Sequence, residues 1–372
     1  MQADKEARIQ AIRQKLAEKN LDALMVSLAE NRFYLSGFSS ADIQCDEYAA
    51  HLFITREKLV LATSSIYALA ARQECPGWEI FCHKEGLAKA LPEIVQKHAI
   101  RSMGFEDARL TVRVHAEMAE ALKKAGLSTS FRPCQGMVEG LRVIKSGQEV
   151  LAMKKALDLA ERAFESVLPR LACGMTEKQA AWLLESAMRE AGAEGMAFPI
   201  IVAAGENAAL PHAVPGDRPI QPGAPLLFDW GARLGGYCSD ISRTVVLGAG
   251  RDTLFKKVFQ AVSEAQEKAT QAIRPGAVCK AVDAVARGHI AAMGFGQNFT
   301  HGLGHGVGLA VHEAPSVRVN VDTVLEPGMV CTVEPGIYIQ GWGGVRLENM
   351  VVVTQDGAEV LNSLNEDLLT SL

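Results

Sequence analysis

Along the first third of the chain, apolar positions switch between two periods. In MQADKEARIQAIRQKLAEKN, Ile9, Ile12 and Leu16 recur at helical spacing and share one face of a predicted amphipathic helix. LDALMVSL and NRFYLSGF follow, then the strand pair HLFIT and KLVLATS, then WEIFCH and SMGFE, with helical spacing returning near residues 86–98 and 111–125. This alternation predicts a compact α/β domain over residues 1–140, with no catalytic constellation inside it.

The pattern restarts at LRVIKSGQEV, where Ser146 and Glu149 stand at capping-box spacing and open a helix of about 22 residues. A second domain is therefore expected over residues 146–372. It carries a weak internal repeat: one helix runs from Gly174 to Gly192 and another from Gly276 to Gly294, each after a long helix and before a strand-rich stretch. Two helix-helix-strands halves predict a pseudo-twofold α+β domain in which helices cover a curved antiparallel sheet. Coincidence between two Ala-rich helices is the plainer alternative.

Composition narrows the functional classes. With 48% apolar and 22% charged residues, the 372-residue chain is globular rather than disordered or fibrous. A formal charge of -5 and the lack of any long Lys/Arg block argue against nucleic-acid or membrane-surface partners and for a small substrate. The N-terminus lacks the apolar core of a signal peptide, and no apolar run is long enough to span a bilayer. Cys45, Cys75, Cys82, Cys134, Cys173, Cys238, Cys279 and Cys331 are scattered without a CxxC pair, so reduced thiols in a cytoplasm are expected.

Three clusters in the second half carry chemistry. In PLLFDWGARLGGYCSDISRTVVLG, two apolar strands flank a glycine turn, a hairpin that would set Asp229 and Asp240 facing each other. Aspartate is disfavoured in strands, although Asp229 as a turn starter and Asp240 as a cap would explain either one alone. In His301-Gly-Leu-Gly-His305-Gly-Val-Gly, followed by Val-His312-Glu313, three histidines sit among four glycines that let backbone approach a ligand. HExxH is absent, which excludes the helical zinc-protease motif. Glu334 in MVCTVEPGIYI and Glu348 in GGVRLENMVVV each interrupt an apolar run, with salt bridges to Arg243 and Arg346 as the structural alternative. Four carboxylates and one imidazole gathered without a cation would repel strongly, whereas two divalent ions would cancel the charge. An oxygen-rich set without thiolate suits Mn²⁺, Co²⁺ or Fe²⁺ at least as well as Zn²⁺.

FDWG, SDISRT, HGLGHGVG, VEPGIY and RLEN closely resemble, in that order, the motifs of the pita-bread metallopeptidases, the family of methionine aminopeptidase, Xaa-Pro aminopeptidase and prolidase. NRFYLSGF and the RVIKSGQE junction resemble the creatinase/prolidase N-terminal domain, which favours the proline-directed branch. The resemblance implies that Asp240 and Glu348 bridge two metal ions, that Asp229 binds one, and that His305 and Glu334 bind the other. It also makes Glu334 a proton shuttle beside a bridging hydroxide, and His212 and His312 contacts to the scissile carbonyl and its intermediate. His301, Tyr338 and Arg346 match positions behind the ligands or on the proline side.

Two departures bear on specificity. Where prolidases commonly carry an arginine after VHExP to read a dipeptide's carboxylate, this chain has Ser316, with Arg318 two residues further on. Asn349 replaces the aspartate that usually follows the last ligand. The resulting expectation is a dinuclear Xaa-Pro aminopeptidase-like enzyme, with Mn or Co as the metals and Zn or Fe as alternatives. Its substrates are small peptides with proline at position two, its N-terminal domain closes off the cleft, and it is a cytoplasmic homodimer. Prolidase is the nearest rival; a metal-free creatinase-like amidinohydrolase and a non-catalytic binding module stand further off.

Overall fold

The computed structural model describes residues 2–42, 44, 46–248 and 252–364, so Cys45 lies outside the described residues. The chain divides into two compact units at Leu141/Arg142.

The first unit opens with α1 (Gln2–Glu18), whose Ile9, Ile12 and Leu16 are buried, as their spacing predicts. There follow β1 (Ala23–Val26), α2 (Ala29–Ser36), β2 (Ala50–Thr55), β3 (Leu59–Ser64), α3 (Ala68–Glu74), β4 (Glu79–His83), α4 (Leu87–Lys97), β5 (Ser102–Phe105), α5 (Val112–Lys124) and β6 (Ser130–Pro133). NRFYLSGF forms most of α2, ended by Gly37 at φ 86°. The strands make one mixed sheet in the order β4-β3-β2-β1-β5-β6. Apolar residues of α4 and α5, among them Leu91, Ile94 and Met118, pack on Met25, Phe53 and Met103 of the sheet.

A buried polar knot lies at one end of β1. Glu106 accepts hydrogen bonds from the Ser27 and Leu28 backbone N–H groups and from Asn31, each at 2.6 Å. Burial nonetheless pushes its carboxyl up to about 7. His51 Nδ1 lies 3.0 Å from Ser27 Oγ, and burial, with the nearby Arg32 cation, holds this imidazole down to about 3.

A one-turn helix, α6 (Glu139–Arg142), carries the chain into the second unit. There α7 (Gly147–Val167) opens on the predicted capping box, with Ser146 Oγ accepting from Glu149 N–H and Glu149 accepting from Ser146 N–H. Thr176 and Gln179 cap α8 (Glu177–Glu190) in the same way. Strands β7 (Gly195–Met196), β8 (Ile201–Ala204), β9 (Pro225–Trp230), β10 (Ala232–Leu234), β11 (Tyr237–Cys238) and β12 (Ile241–Val246) follow. The second half repeats the plan. Helices α9 (Thr253–Ala272) and α10 (Cys279–Ala292) precede β13 (Gly304–Gly306), β14 (Glu313–Val317), β15 (Val330–Val333), β16 (Gly336–Ile339), β17 (Gly343–Arg346), β18 (Asn349–Val353) and β19 (Ala358–Val360). Gly192 and Gly294, at φ 98° and 89°, follow the ends of α8 and α10, a backbone conformation glycine adopts without steric cost.

Each half contributes an antiparallel sheet: β12-β9-β8 from the first and β14-β13-β15-β18-β19 from the second, with smaller groups β11-β10-β7 and β16-β17. Apolar faces of α9 and α10, including Val258, Val262 and Ala286, pack on Cys331, Val333 and Val351. The halves meet along β12, where Glu348 N–H donates to Ser242 O and Arg346 N–H to Thr244 Oγ1, both at 3.1 Å. Residues from the two halves of the chain thereby come to one place.

The aspartate hairpin is more elaborate than a single turn. Asp229 pairs with Ser242, and Asp240 lies just before β12, diagonal to Asp229 rather than opposite it. The physical cause is Gly231: a Cβ there would stand 1.9 Å from Ser239 O, so the strands cross closely and β10 departs to pair with β7 and β11.

Candidate active site

Period-two alternation along the SDISRT segment sets Asp240, Ser242 and Thr244 on one face, beside Asp229 of β9. His305 is the middle residue of β13, between two glycines that cannot be replaced without collision. A Cβ on Gly304 would lie 2.1 Å from Thr332 O, and one on Gly306 2.2 Å from Ala314 O. The glycines let β13 fit between β14 and β15. Glu334 follows β15 directly, and Glu348 sits between β17 and β18.

All five candidate ligands line one cavity of about 480 Å³, together with His212, His301, His312 and Arg346. Ligand atoms of Asp240, His305 and Glu348 fall within 4.8 Å of one another. His305 Nε2 lies 3.5 Å from Asp240 Oδ2 and 3.3 Å from Glu334 Oε1. Its Nδ1 faces Gly306 O at 3.1 Å, an acceptor that would keep the proton on Nδ1 and turn the Nε2 lone pair to a bound cation. Ser242 Oγ donates to Glu348 Oε2 at 2.8 Å, and Thr332 Oγ1 donates to Glu334 Oε1 at 3.0 Å. The other Glu348 oxygen, Oε1, and Asp229 Oδ1 are buried without a hydrogen-bond partner among the described residues.

Electrostatics agree with this geometry. Burial, then the charges of Glu348 and Asp229, push Asp240 well above the usual carboxylate range. Glu348 is driven up by burial and by Glu334, and Asp229 is raised by burial even though Arg346 opposes the shift. Burial works against the ions of both Glu334 and His305, but with no cation between them each favours the other's charge: His305 is raised, and its hydrogen bond to Glu334 holds that carboxyl down to about 2. Carboxylates this crowded must share protons or cations. Two buried carboxylate oxygens lacking donors among the described residues, four acids and one imidazole fit divalent cations.

Tyr338 and Arg346 stand behind the ligands. Arg346 donates through Nη2 to Asp229 Oδ2 at 2.6 Å, through Nε to Ser242 Oγ at 2.8 Å and through Nη1 to Tyr338 Oη at 2.8 Å. Burial pushes the Tyr338 hydroxyl up to about 12, so it keeps its proton and donates to His301 Nε2, 2.9 Å away. His301 Nδ1 in turn meets Gly302 O at 2.7 Å, which accounts for both ring nitrogens, and burial favours its neutral form. Tyr338 itself does not line the cavity. His212 and His312 line it without such anchoring, and the His312 ring stands edge-on to His305 with centroids 4.2 Å apart. Arg346 pairs with Asp229, while Arg243 reaches the Glu348 carbonyl and, at 2.9 Å, the Asn349 amide oxygen.

Several residues that shape the site escaped the sequence reading. Glu177 is wholly buried and accepts from the Ala204 and Gly216 N–H groups, both at 2.8 Å, which pins the loop carrying His212. Asp283, equally buried, holds Leu303 N–H at 3.0 Å and anchors Arg287, whose Nη2 donates to His301 O at 2.7 Å. The available signal was an acid on the inward face of each half's second helix.

Residues 151–355 match the model of metallopeptidase family M24, more than half of the chain. The chain belongs to metallopeptidase family M24. Residues 8–144 match the creatinase/prolidase N-terminal domain. The second unit is thus a pita-bread catalytic domain and the enzyme a divalent-metal peptidase. Among relatives, an Xaa-Pro dipeptidase of Pyrococcus horikoshii is 34% identical, over 97% of this chain and 98% of its own. The solved Xaa-Pro dipeptidase from Bacillus anthracis is 35% identical with a TM-score of 0.89, covering 96% of this chain and 97% of that one. An X-Pro aminopeptidase from Thermotoga maritima is 34% identical with a TM-score of 0.84, covering 93% and 96%.

Proposed function

We propose that this M24 peptidase hydrolyses the bond between an N-terminal residue and a following proline, using two divalent cations held by Asp229, Asp240, His305, Glu334 and Glu348. The observation that carries this reading is the convergence of those five side chains on one cavity, with two carboxylate oxygens buried and undonated among the described residues. Manganese or cobalt is the expected metal, with zinc or iron as alternatives, because the donors are mostly hard oxygens. Bound there, the cations polarise a carbonyl and acidify water at neutral pH.

The chain's own residues supply the remainder. Glu334, which lines the cavity, takes up and returns a proton at its carboxylate, the role the family resemblance gives it. His212 and His312 line the same cavity, and in this reading they donate to the scissile carbonyl as it gains charge. Phe198, Ile200, Ile201 and Val311 make an apolar wall. An imide nitrogen offers no N–H to a binding site, so such a substrate is recognised by shape, which this wall provides.

Substrate length turns on two residues that both line the cavity. Ser316 in place of an arginine favours longer Xaa-Pro-Yaa peptides, the aminopeptidase reading. Arg318, exposed on the same wall and without an ion pair among the described residues, supports the dipeptidase reading, as do the prolidase-like relatives. We favour the dipeptidase. A cytoplasmic homodimer is proposed with it on family resemblance; among the described residues no helix is long and apolar enough to cross a membrane. The test is to strip the protein with chelator, restore Mn²⁺, Co²⁺ or Zn²⁺, and assay Xaa-Pro dipeptides beside Xaa-Pro-Yaa and Xaa-Ala peptides. Metal-restored turnover confined to the proline substrates is expected, and equal turnover of Xaa-Ala would end the proline-directed reading.

A further inference from the structure

The first residues of the second unit include two cations that the reaction does not use. Arg142 and Lys145 are buried, their side chains 5% and 2% exposed, and both converge on Glu313. Lys145 Nζ lies 3.0 Å from Glu313 Oε1, while the Arg142 guanidinium engages Oε2. Their backbone is also fixed, because Ile144 bridges to Met329 and Lys145 N–H donates to Gly328 O at 2.8 Å, just ahead of β15.

Glu313 follows His312 and is not among the residues that line the cavity. It folds back into its own hairpin instead, taking the Ala310 N–H at 3.4 Å and lying over Gly308, where a Cβ would come within 2.3 Å of Oε1. The β13–β14 register slips between His305 and Gly306, so ladder pairing does not itself determine where residues 307–312 lie. Two buried cations on one largely covered anion are costly to desolvate and weak evidence of net stabilisation, but they admit few geometries.

We propose that Arg142 and Lys145 are positioning residues, whose paired cationic heads hold Glu313 and through it place the His312 hairpin against His305. The inference rests on the proposed role of His312 at the substrate carbonyl. It makes the RVIK segment a working part of the catalytic unit rather than a linker.

A double-mutant cycle on the full-length, metal-restored enzyme tests it. Lys145→Met keeps most of the side-chain volume and leaves Arg142 paired with Glu313. The expected result is a fall in kcat of about ten- to a hundredfold, with KM and metal content near wild type. In a His312→Ala background the same change should cost less than about twofold, because residues acting through one group are not additive. Equal losses in both backgrounds, or no loss in either, would overturn the proposal. Should Lys145→Met fail to fold, Gly308→Ala displaces the Glu313 carboxylate without removing a charge and should show the same non-additivity. If His312→Ala alone turns over at the wild-type rate, the role of His312 is what has failed. Hydrogen exchange over residues 307–313 then decides the linkage: faster exchange in Lys145→Met supports the hold on the hairpin, and unchanged exchange refutes it.

Discussion

Arg346 Nη2 donates to Asp229 Oδ2 at 2.6 Å, while Asp229 Oδ1 is buried without a donor among the described residues. One oxygen is occupied so that the other is presented. Because the same guanidinium also orients Ser242, which holds Glu348 in turn, Arg346 sets two of the acids at once. Arg346→Lys keeps the charge but cannot reproduce the fork. Metal affinity is expected to fall roughly 10–100-fold, read by titrating metal into stripped protein while elemental analysis of the wild type approaches two ions per chain. Unchanged affinity would remove Arg346 from the ligand scaffold, and a wild type that takes up no metal would remove the dinuclear reading itself.

His312→Ala should retain its metal and its fold but lose about 10²–10³ in kcat, since a donor to a developing oxyanion acts in the transition state. The informative pairing is kcat on an Xaa-Pro dipeptide beside the metal content of the same preparation. Near wild-type turnover with full metal would show that the carbonyl is stabilised elsewhere.

Arg318→Ala separates the two substrate-length readings. If its guanidinium meets the terminal carboxylate of a dipeptide, kcat/KM for Xaa-Pro should fall about ten- to a hundredfold while Xaa-Pro-Yaa is little affected, as a lost charge-assisted hydrogen bond is worth roughly 1.5–3 kcal/mol. Parallel losses on both substrates, or none, would favour the aminopeptidase expectation based on Ser316.

Two buried groups of the first unit give opposite pH slopes to stability. The Glu106 carboxyl is raised to about 7 from an ordinary 4.5, so the folded state binds the extra proton and stability falls as pH rises from 4.5 to 7. His51 is depressed to about 3 from 6.5, so the unfolded state binds the extra proton and stability falls as pH drops from 6.5 towards 3. Denaturant unfolding across this range should show the wild-type advantage over Glu106→Gln shrinking as pH rises and the advantage over His51→Asn shrinking as pH falls. Differences that stay flat with pH would show that neither group titrates as its burial implies.

What the sequence determined by itself was local or carried in motifs. Ile9, Ile12 and Leu16 face inward because helical spacing leaves them no other common side, and Ser146 with Glu149 starts α7 because a capping box closes within four residues. The order of acids and histidines on glycine-spaced strands pointed to one metal-holding cleft, where the structure gathers all five candidate ligands. Tertiary structure decided what depends on partners distant in the chain. Asp240 stands diagonal to Asp229 because Gly231 lets two strands cross, which no hairpin pattern encodes. Arg346 serves Asp229 rather than Glu348, Tyr338 turns to His301 instead of the cavity, and Glu313 turns to Arg142 and Lys145. Each of these choices satisfies a buried charge or hydroxyl with a group brought near only by folding, so the residue's type shows that it needs a partner and the packing of the two halves determines which one it finds.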